Sequence, residues 1–115
     1  MDLPTVATYF SGVSFLAFGA SCLVSSHMKA EFIRYGHAGE RVMTGILQML
    51  GGLGLLLGYH FSPLLATAAA AGLFVMMAYG VVVRMKIGDS QLQATPAFLY
   101  AALNLYLLVH FYGAL

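Results

Sequence analysis

Few side chains in this sequence can take part in chemistry, and the most informative are two amides, Gln48 and Asn104, within long apolar stretches. Gln48 lies seven residues after Arg41 and four before Gly52, a spacing that places all three on one helix face. In a bilayer, an amide without hydrogen-bond partners loses several kcal/mol, so both amides are predicted to face a protein interior. There each could bind a ligand, or could only join two helices.

Three arginines and two tyrosines complete the candidate site. Guanidinium groups pair well with anionic head groups, and tyrosine rings can flank an apolar tail. The same arginines also fit ordinary membrane topology, in which basic residues stay in cytoplasmic loops, and Arg84 could instead pair with Asp89 or Glu40. The predicted ligand-binding residues are Arg34, Arg41, Gln48, Tyr79, Arg84, Tyr100 and Asn104.

The other reactive residues form no recognisable catalytic or metal-binding motif. The sequence has one cysteine, Cys22, no glycine-rich phosphate loop and no nucleophile elbow, and its net charge of +1 gives no reason to expect nucleic acid. The four histidines are scattered. His60 and His110 could bind a metal or haem as a pair, or could anchor the chain at the membrane interface. We predict no catalytic residue, no metal site and no intrinsic cofactor.

Composition and charge spacing predict an all-α membrane protein. With 61% hydrophobic and 8% charged residues and a mean hydropathy of +0.87, the chain cannot cover a water-soluble domain with polar surface. The segment 42–83 has no Asp, Glu, Lys or Arg, and as one helix it would be about 63 Å long, about twice the hydrocarbon thickness. It must therefore cross, turn near 58–63 and cross back. The predicted spans of this four-transmembrane-helix up-down bundle are 4–26, 42–60, 63–83 and 95–114, in one domain, 1–115.

All five basic residues fall in two short segments, 29–41 and 84–86. Basic residues near span ends mark the cytoplasmic side, so the N- and C-termini are both predicted to lie outside. The segment 27–41 mixes charged and aromatic residues and is predicted to form a short amphipathic surface helix that ends at Gly36. Because the first span lacks a basic leader, we expect it to be retained rather than cleaved as a signal peptide.

Small and hydroxyl-bearing residues predict how the spans pack. A hydroxyl-bearing face of span one should point into the bundle, where its side chains, or Gln48, could hydrogen-bond to Asn104. Gly54 and Gly58 form a small-xxx-small pair in span two, a common motif that fits self-association, and we expect a homo-oligomer. The hydroxyls on the face of span one are those of Thr8, Ser11, Ser14, Ser21 and Ser25.

The order of three motifs resembles that of the DoxX-like family of small four-span membrane proteins. These motifs are Phe32–Gly36 before span two, the glycine- and leucine-rich Thr44–Leu55 within it, and Arg84–Asp89 with Pro96 before span four. The resemblance covers about residues 32–112 and implies a four-helix fold. In that family the position of Gln48 is frequently Glu, so carboxylate chemistry does not carry over to this chain.

The functions that the resemblance implies are heterogeneous: a subunit of thiosulfate:quinone oxidoreductase, components of membrane redox complexes, and an animal assembly chaperone for nicotinic receptors. We favour a non-enzymatic module, surrounded by membrane lipids, that binds a lipid- or quinone-like molecule or a partner membrane protein. The alternative is a membrane-anchor or quinone-site subunit of an oxidoreductase complex whose redox cofactor lies on a partner. The expected location is a bacterial inner (plasma) membrane.

Overall fold

The computed structural model describes residues 2–88 and 91–115, apart from the side chains of residues 38 and 91–93. Within these residues the chain is helical and contains no strand. A short 3-10 turn, Ala38–Glu40, joins α2 to α3. The helices are α1 (Leu3–Val24), α2 (Ser26–Tyr35), α3 (Arg41–Phe61), α4 (Pro63–Lys86) and α5 (Gln91–Gly113).

Four of these helices, α1, α3, α4 and α5, are long and apolar enough to cross a membrane, which confirms the predicted four-span bundle. Large apolar side chains remain exposed on their outer faces, as expected for surfaces that contact lipid. Examples are Phe10, Leu50, Val75 and Phe98, which are each 58–63% exposed. Which end of the bundle faces the cytoplasm stays a prediction from the basic residues.

The helix ends follow local sequence signals. The Asp2 carboxylate accepts a hydrogen bond from the Thr5 backbone N–H at 3.1 Å and caps α1. Hydrogen bonds from the Thr5 side chain and backbone lower the pKa of Asp2. The Ser25 hydroxyl caps α2, and the Ser62 hydroxyl caps α4, whose first residue is Pro63. These caps fix where α1, α2 and α4 begin.

Of three boundaries that the sequence predicted, one is confirmed and two differ. The surface helix ends at Gly36 as predicted, because this residue has a φ of +80°, which glycine adopts without strain. Gly58 remains inside α3, so the turn between α3 and α4 is Ser62 alone rather than 58–63. Helix α5 begins at Gln91, so Pro96 lies within it rather than before span four.

The helices form a ring in the order α1, α3, α4, α5, and each is antiparallel to its neighbours. The pair α1–α5 has far fewer backbone contacts than the other neighbouring pairs. One fully buried side chain from each span builds the central core, with an exposed fraction of at most 1%. These side chains are Phe15, Leu55, Leu73 and Leu107.

Glycines bring the backbones of α1 and α3 into contact at two levels. A Cβ atom on Gly52 would lie 2.7 Å from the Gly12 carbonyl oxygen. Seven residues away on each helix, a Cβ atom on Gly45 would lie 3.0 Å from the Gly19 carbonyl oxygen. Because backbone atoms cannot yield as a flexible side chain can, both levels require residues without side chains. This close crossing positions the inward face of α3.

Gly54 and Gly58, the pair that suggested self-association, pack inside the chain. A Cβ atom on Gly54 would touch the Ala69 side chain at 3.4 Å, and one on Gly58 would meet the Ala66 backbone. Both contacts are with α4 of the same chain. The small-xxx-small pair therefore contributes to the packing of α3 on α4.

Candidate ligand-binding cavity

A cavity of about 360 Å³ lies at one end of the bundle, between the four spans and α2. We call this end the α2 end. Residues from all five helices line the cavity, and most of its surface is apolar or aromatic. Among the lining side chains are Phe18, Phe32, Met76, Met77 and Tyr100. Ligand pockets of about 300–1,000 Å³ commonly combine such walls with a few polar groups.

The structure brings four of the seven predicted binding residues to this cavity and places three elsewhere. Gln48, Tyr79, Arg84 and Tyr100 line it. The other three lie outside its wall; they are Arg34, Arg41 and Asn104.

Gln48 is the polar group that distinguishes the cavity. Its side chain is only 7% exposed, and its Oε1 atom has no hydrogen-bond partner among the described residues. Gln48 lies on the face of α3 between Gly45 and Gly52, which the contact with α1 turns inward. A buried amide oxygen without a partner is rare, because it forgoes about 1–3 kcal/mol of hydrogen bonding. Gln48 is also one of the residues that line the cavity.

Asn104, the other predicted interior amide, has its partners within the protein. It is fully buried, its Oδ1 atom accepts a hydrogen bond from Ser11 Oγ at 2.9 Å, and its Nδ2 group donates to the Tyr100 carbonyl at 2.8 Å. One turn away, the Tyr100 hydroxyl donates to Ser14 Oγ at 3.1 Å. Asn104 therefore bonds the span-one hydroxyls, one of the two partners that the sequence allowed, and joins α1 to α5.

The hydroxyl face of span one divides into two parts. Thr8 and Ser11 are buried in the bundle, and Thr8 Oγ1 donates to the Pro4 carbonyl at 2.7 Å. Ser21 and Ser25 instead line the cavity. Near the bundle centre the hydroxyls of this face therefore stabilise the fold. At the α2 end they form a polar part of the cavity wall.

Substitutions of Ser11 and Asn104 should have non-additive effects on the free energy of unfolding, because the two side chains are hydrogen-bonded to each other. Asn104→Leu is expected to lower the free energy of unfolding, since it removes both amide hydrogen bonds, and Ser11→Ala should cost less. Interhelical hydrogen bonds in membranes contribute on average about 0.6 and at most about 1.7 kcal/mol, which sets the expected coupling energy of the double-mutant cycle. Unfolding by SDS from mixed micelles measures it. Additive effects would contradict a stabilising hydrogen bond between Ser11 and Asn104.

The three predicted arginines gather at the α2 end, and each has contacts within the chain. Arg34 pairs with Glu31 at 2.6 Å, and its guanidinium lies 5.2 Å from the Tyr35 ring centroid. Arg84 also lies 5.2 Å from that ring centroid. Arg41 donates from Nη1 to the carbonyls of residues 22 and 23, at 2.6 and 3.1 Å. An anionic head group would have to compete with these contacts.

Three more side chains at the cavity rim are linked by hydrogen bonds. His37 Nδ1 lies 3.1 Å from Glu40 Oε1, and the Tyr79 hydroxyl lies 3.4 Å from His37 Nε2. These contacts tie the end of α2 to α4. Asp89, the other acidic residue considered for Arg84, lies outside the described residues.

The opposite end of the bundle is an aromatic layer. His60 hydrogen-bonds the Tyr9 hydroxyl and packs edge-on against Tyr59, while His110 packs against Tyr106 and Phe111. These contacts fit the interfacial anchoring considered for both histidines. Across the described residues, no group of three or more His, Cys, Asp or Glu side chains could hold a metal ion.

Most of the cavity wall consists of residues that the sequence did not single out as ligand-binding. Phe18, Cys22 and His37 are among them. Cys22 reaches the cavity because the glycine crossing holds α1 against α3. The signal that could have found this wall is the matching seven-residue glycine spacing in α1 and α3, 12 to 19 and 45 to 52.

Four antiparallel apolar spans around an interior cavity define a small integral membrane protein. The DoxX-like family model matches residues 5–107. The chain therefore belongs to the DoxX-like family. Neither the curated proteins nor the solved structures contain a match to it.

Proposed function

We propose that this membrane protein is a non-enzymatic module that binds one lipid- or quinone-like molecule in the cavity at the α2 end. The observation that carries the proposal is Gln48, which lines the cavity and whose buried amide oxygen has no hydrogen-bond partner among the described residues. A hydroxyl on a bound molecule would satisfy this oxygen, and the amide nitrogen can serve a carbonyl.

The chemistry of the walls supports a neutral amphiphile. Phe18 and Tyr100 offer flat aromatic surfaces, and Met76 and Met77 offer adaptable thioether side chains that pack well against rings. The partners of Arg34 and Arg41 within the chain favour a neutral hydrogen-bonding group over a phosphate. A ring with one or two oxygen substituents and an apolar tail fits this combination.

The second candidate is that the same cavity serves as the quinone site of a membrane-anchor subunit, with the redox cofactor on a partner protein. The same features support it, since the polar group on Gln48 would then contact a quinone. The basic residues at the α2 end support a cytoplasmic location for the cavity, and a bacterial inner membrane is the proposed setting.

Native mass spectrometry of the protein released from mild detergent tests the proposal. We expect one retained small molecule per chain, on a homo-oligomer. A bare oligomer would contradict the binding module. Copurification of a flavin, haem or iron-sulfur protein would favour the second candidate.

A further inference from the structure

The cavity wall between α1 and α5 includes the side chain of Phe18, which is itself partly exposed. These two helices are the least closely packed neighbours in the ring. At the level of the cavity, the rings of Phe18 and Tyr100 meet across the gap with centroids 5.2 Å apart and planes at 84°. Both rings line the cavity, and Phe18 is also 40% exposed. Phe18 therefore lines the cavity where the two least closely packed helices meet.

On the side of these rings toward the α2 end, the gap is flanked by small residues. Ser21 on α1 is exposed, Pro96 on α5 is exposed, and Ala97 is half-buried. All three line the cavity. No large side chain closes the gap at these described positions.

On the other side of the rings, toward the bundle centre, the gap is filled. Phe10 stacks on Tyr100 with centroids 5.9 Å apart, and Phe15 packs edge-on against it at 5.5 Å. The hydrogen bonds of Ser11 and Ser14 to α5 lie at this level. The contact between Phe18 and Tyr100 is thus the boundary between a filled part of the gap and an open one.

The aqueous side of the cavity is covered differently. Phe32 of α2 is 8% exposed and lies over the cavity, while Tyr35 and His37 contact Arg84 and Tyr79 of α4. These contacts between α2 and α4 narrow the path for a molecule that enters from water. A molecule that enters from lipid meets small residues beside the Phe18 and Tyr100 rings, and movement of the Phe18 ring would widen that passage.

We propose that the cavity opens sideways to the bilayer between α1 and α5, through a gate formed by Phe18 and Tyr100. The ligand is then a membrane-dissolved amphiphile, with its polar group on Gln48 and its apolar part directed to the gate. Its biological meaning rests on the proposed function, whereas the route itself is a property of the cavity and does not depend on a bound molecule.

Cys22 makes the route measurable, because it is the only cysteine in the sequence, is 1% exposed and lines the cavity. Its labelling rate in lipid nanodiscs can be followed by intact-protein mass spectrometry with two reagents. N-phenylmaleimide partitions into lipid, and a trimethylammonium methanethiosulfonate stays in water. The first can use either route, whereas the second is confined to the aqueous route.

Phe18→Ala should speed labelling by N-phenylmaleimide about three- to tenfold, the size expected for the loss of one aromatic pair, with little effect on the charged reagent. Phe10→Ala is the matched control, since it also removes a ring packed on Tyr100 but one that does not line the cavity. Its labelling rates should stay unchanged. Tyr35→Ala, at the aqueous cover, should accelerate the charged reagent.

The gate is overturned if Phe18→Ala leaves labelling by N-phenylmaleimide unchanged, or if it accelerates the charged reagent equally. Phe18→Trp is the control for misfolding. Its larger ring should slow labelling by the lipid-soluble reagent, and circular dichroism should show that the variant keeps its helical content. Labelling needs no ligand, so this inference can fail while native mass spectrometry still finds a bound molecule, and the reverse also holds.

Discussion

Gln48→Leu is expected to abolish retention of the bound molecule and, at the same time, to stabilise the ligand-free protein. The substitution removes an amide oxygen that is buried without a partner among the described residues, and a leucine of similar size fills the same space. Removal of a buried polar group that has no hydrogen-bond partner raises the free energy of unfolding by about 1–3 kcal/mol. A residue whose loss improves stability but removes binding is retained for function.

Two measurements on the same preparations check this result. Unfolding by SDS of delipidated protein gives the stability change, and native mass spectrometry gives retention. Gln48→Glu is the matched control, because it keeps the carbonyl-type oxygen in place and should retain more of the molecule than Gln48→Leu. A destabilised Gln48→Leu protein would mean that Gln48 has a structural partner, as Asn104 does.

Gly52→Ala is expected to separate α1 from α3 and to lower stability by about 1–3 kcal/mol, the usual cost of overpacking a close contact. The new Cβ atom would lie 2.7 Å from the Gly12 carbonyl oxygen and 3.2 Å from the Leu16 backbone nitrogen. Neither atom can move without moving its helix. The cavity depends on this crossing, so Cys22 should also become more reactive.

Gly72→Ala is the control for the glycine experiment, since a Cβ atom at Gly72 would meet nothing within 4 Å among the described residues. Alanine is the better helix former by about 1 kcal/mol in water, so this variant should be neutral or slightly stabilised. SDS unfolding compares the two variants directly. Equal effects from both would contradict a backbone contact at Gly52.

Much of the fold could be predicted because lipid imposes a simple rule on charge and length. The charge-free segment 42–83 had to form two spans, and the helices Arg41–Phe61 and Pro63–Lys86 fulfil that prediction. The turn between them begins later than predicted, because Gly58 does not interrupt α3. In an apolar helix its missing side chain instead admits the backbone of α4.

The candidate site was less predictable, because the two amides look alike in the sequence. Gln48 and Asn104 are both single amides in apolar spans, and only the three-dimensional neighbours separate them. The contacts of the arginines were also not predictable from the sequence. Their position near one rim follows from charge placement, but whether Arg41 binds a ligand or the end of α1 depends on distances that no spacing encodes.

Nuclear magnetic resonance of the Gln48 side chain tests the central claim most directly. Glutamine occurs only at 48, 91 and 93, so selective ¹⁵N-glutamine labelling gives few side-chain amide signals, and Gln48→Leu assigns the one from Gln48. In protein purified without delipidation, we expect nuclear Overhauser effects from this amide to protons that do not belong to the protein, and a shifted signal after delipidation. An amide signal that contacts only protein protons and does not change on delipidation would contradict the account.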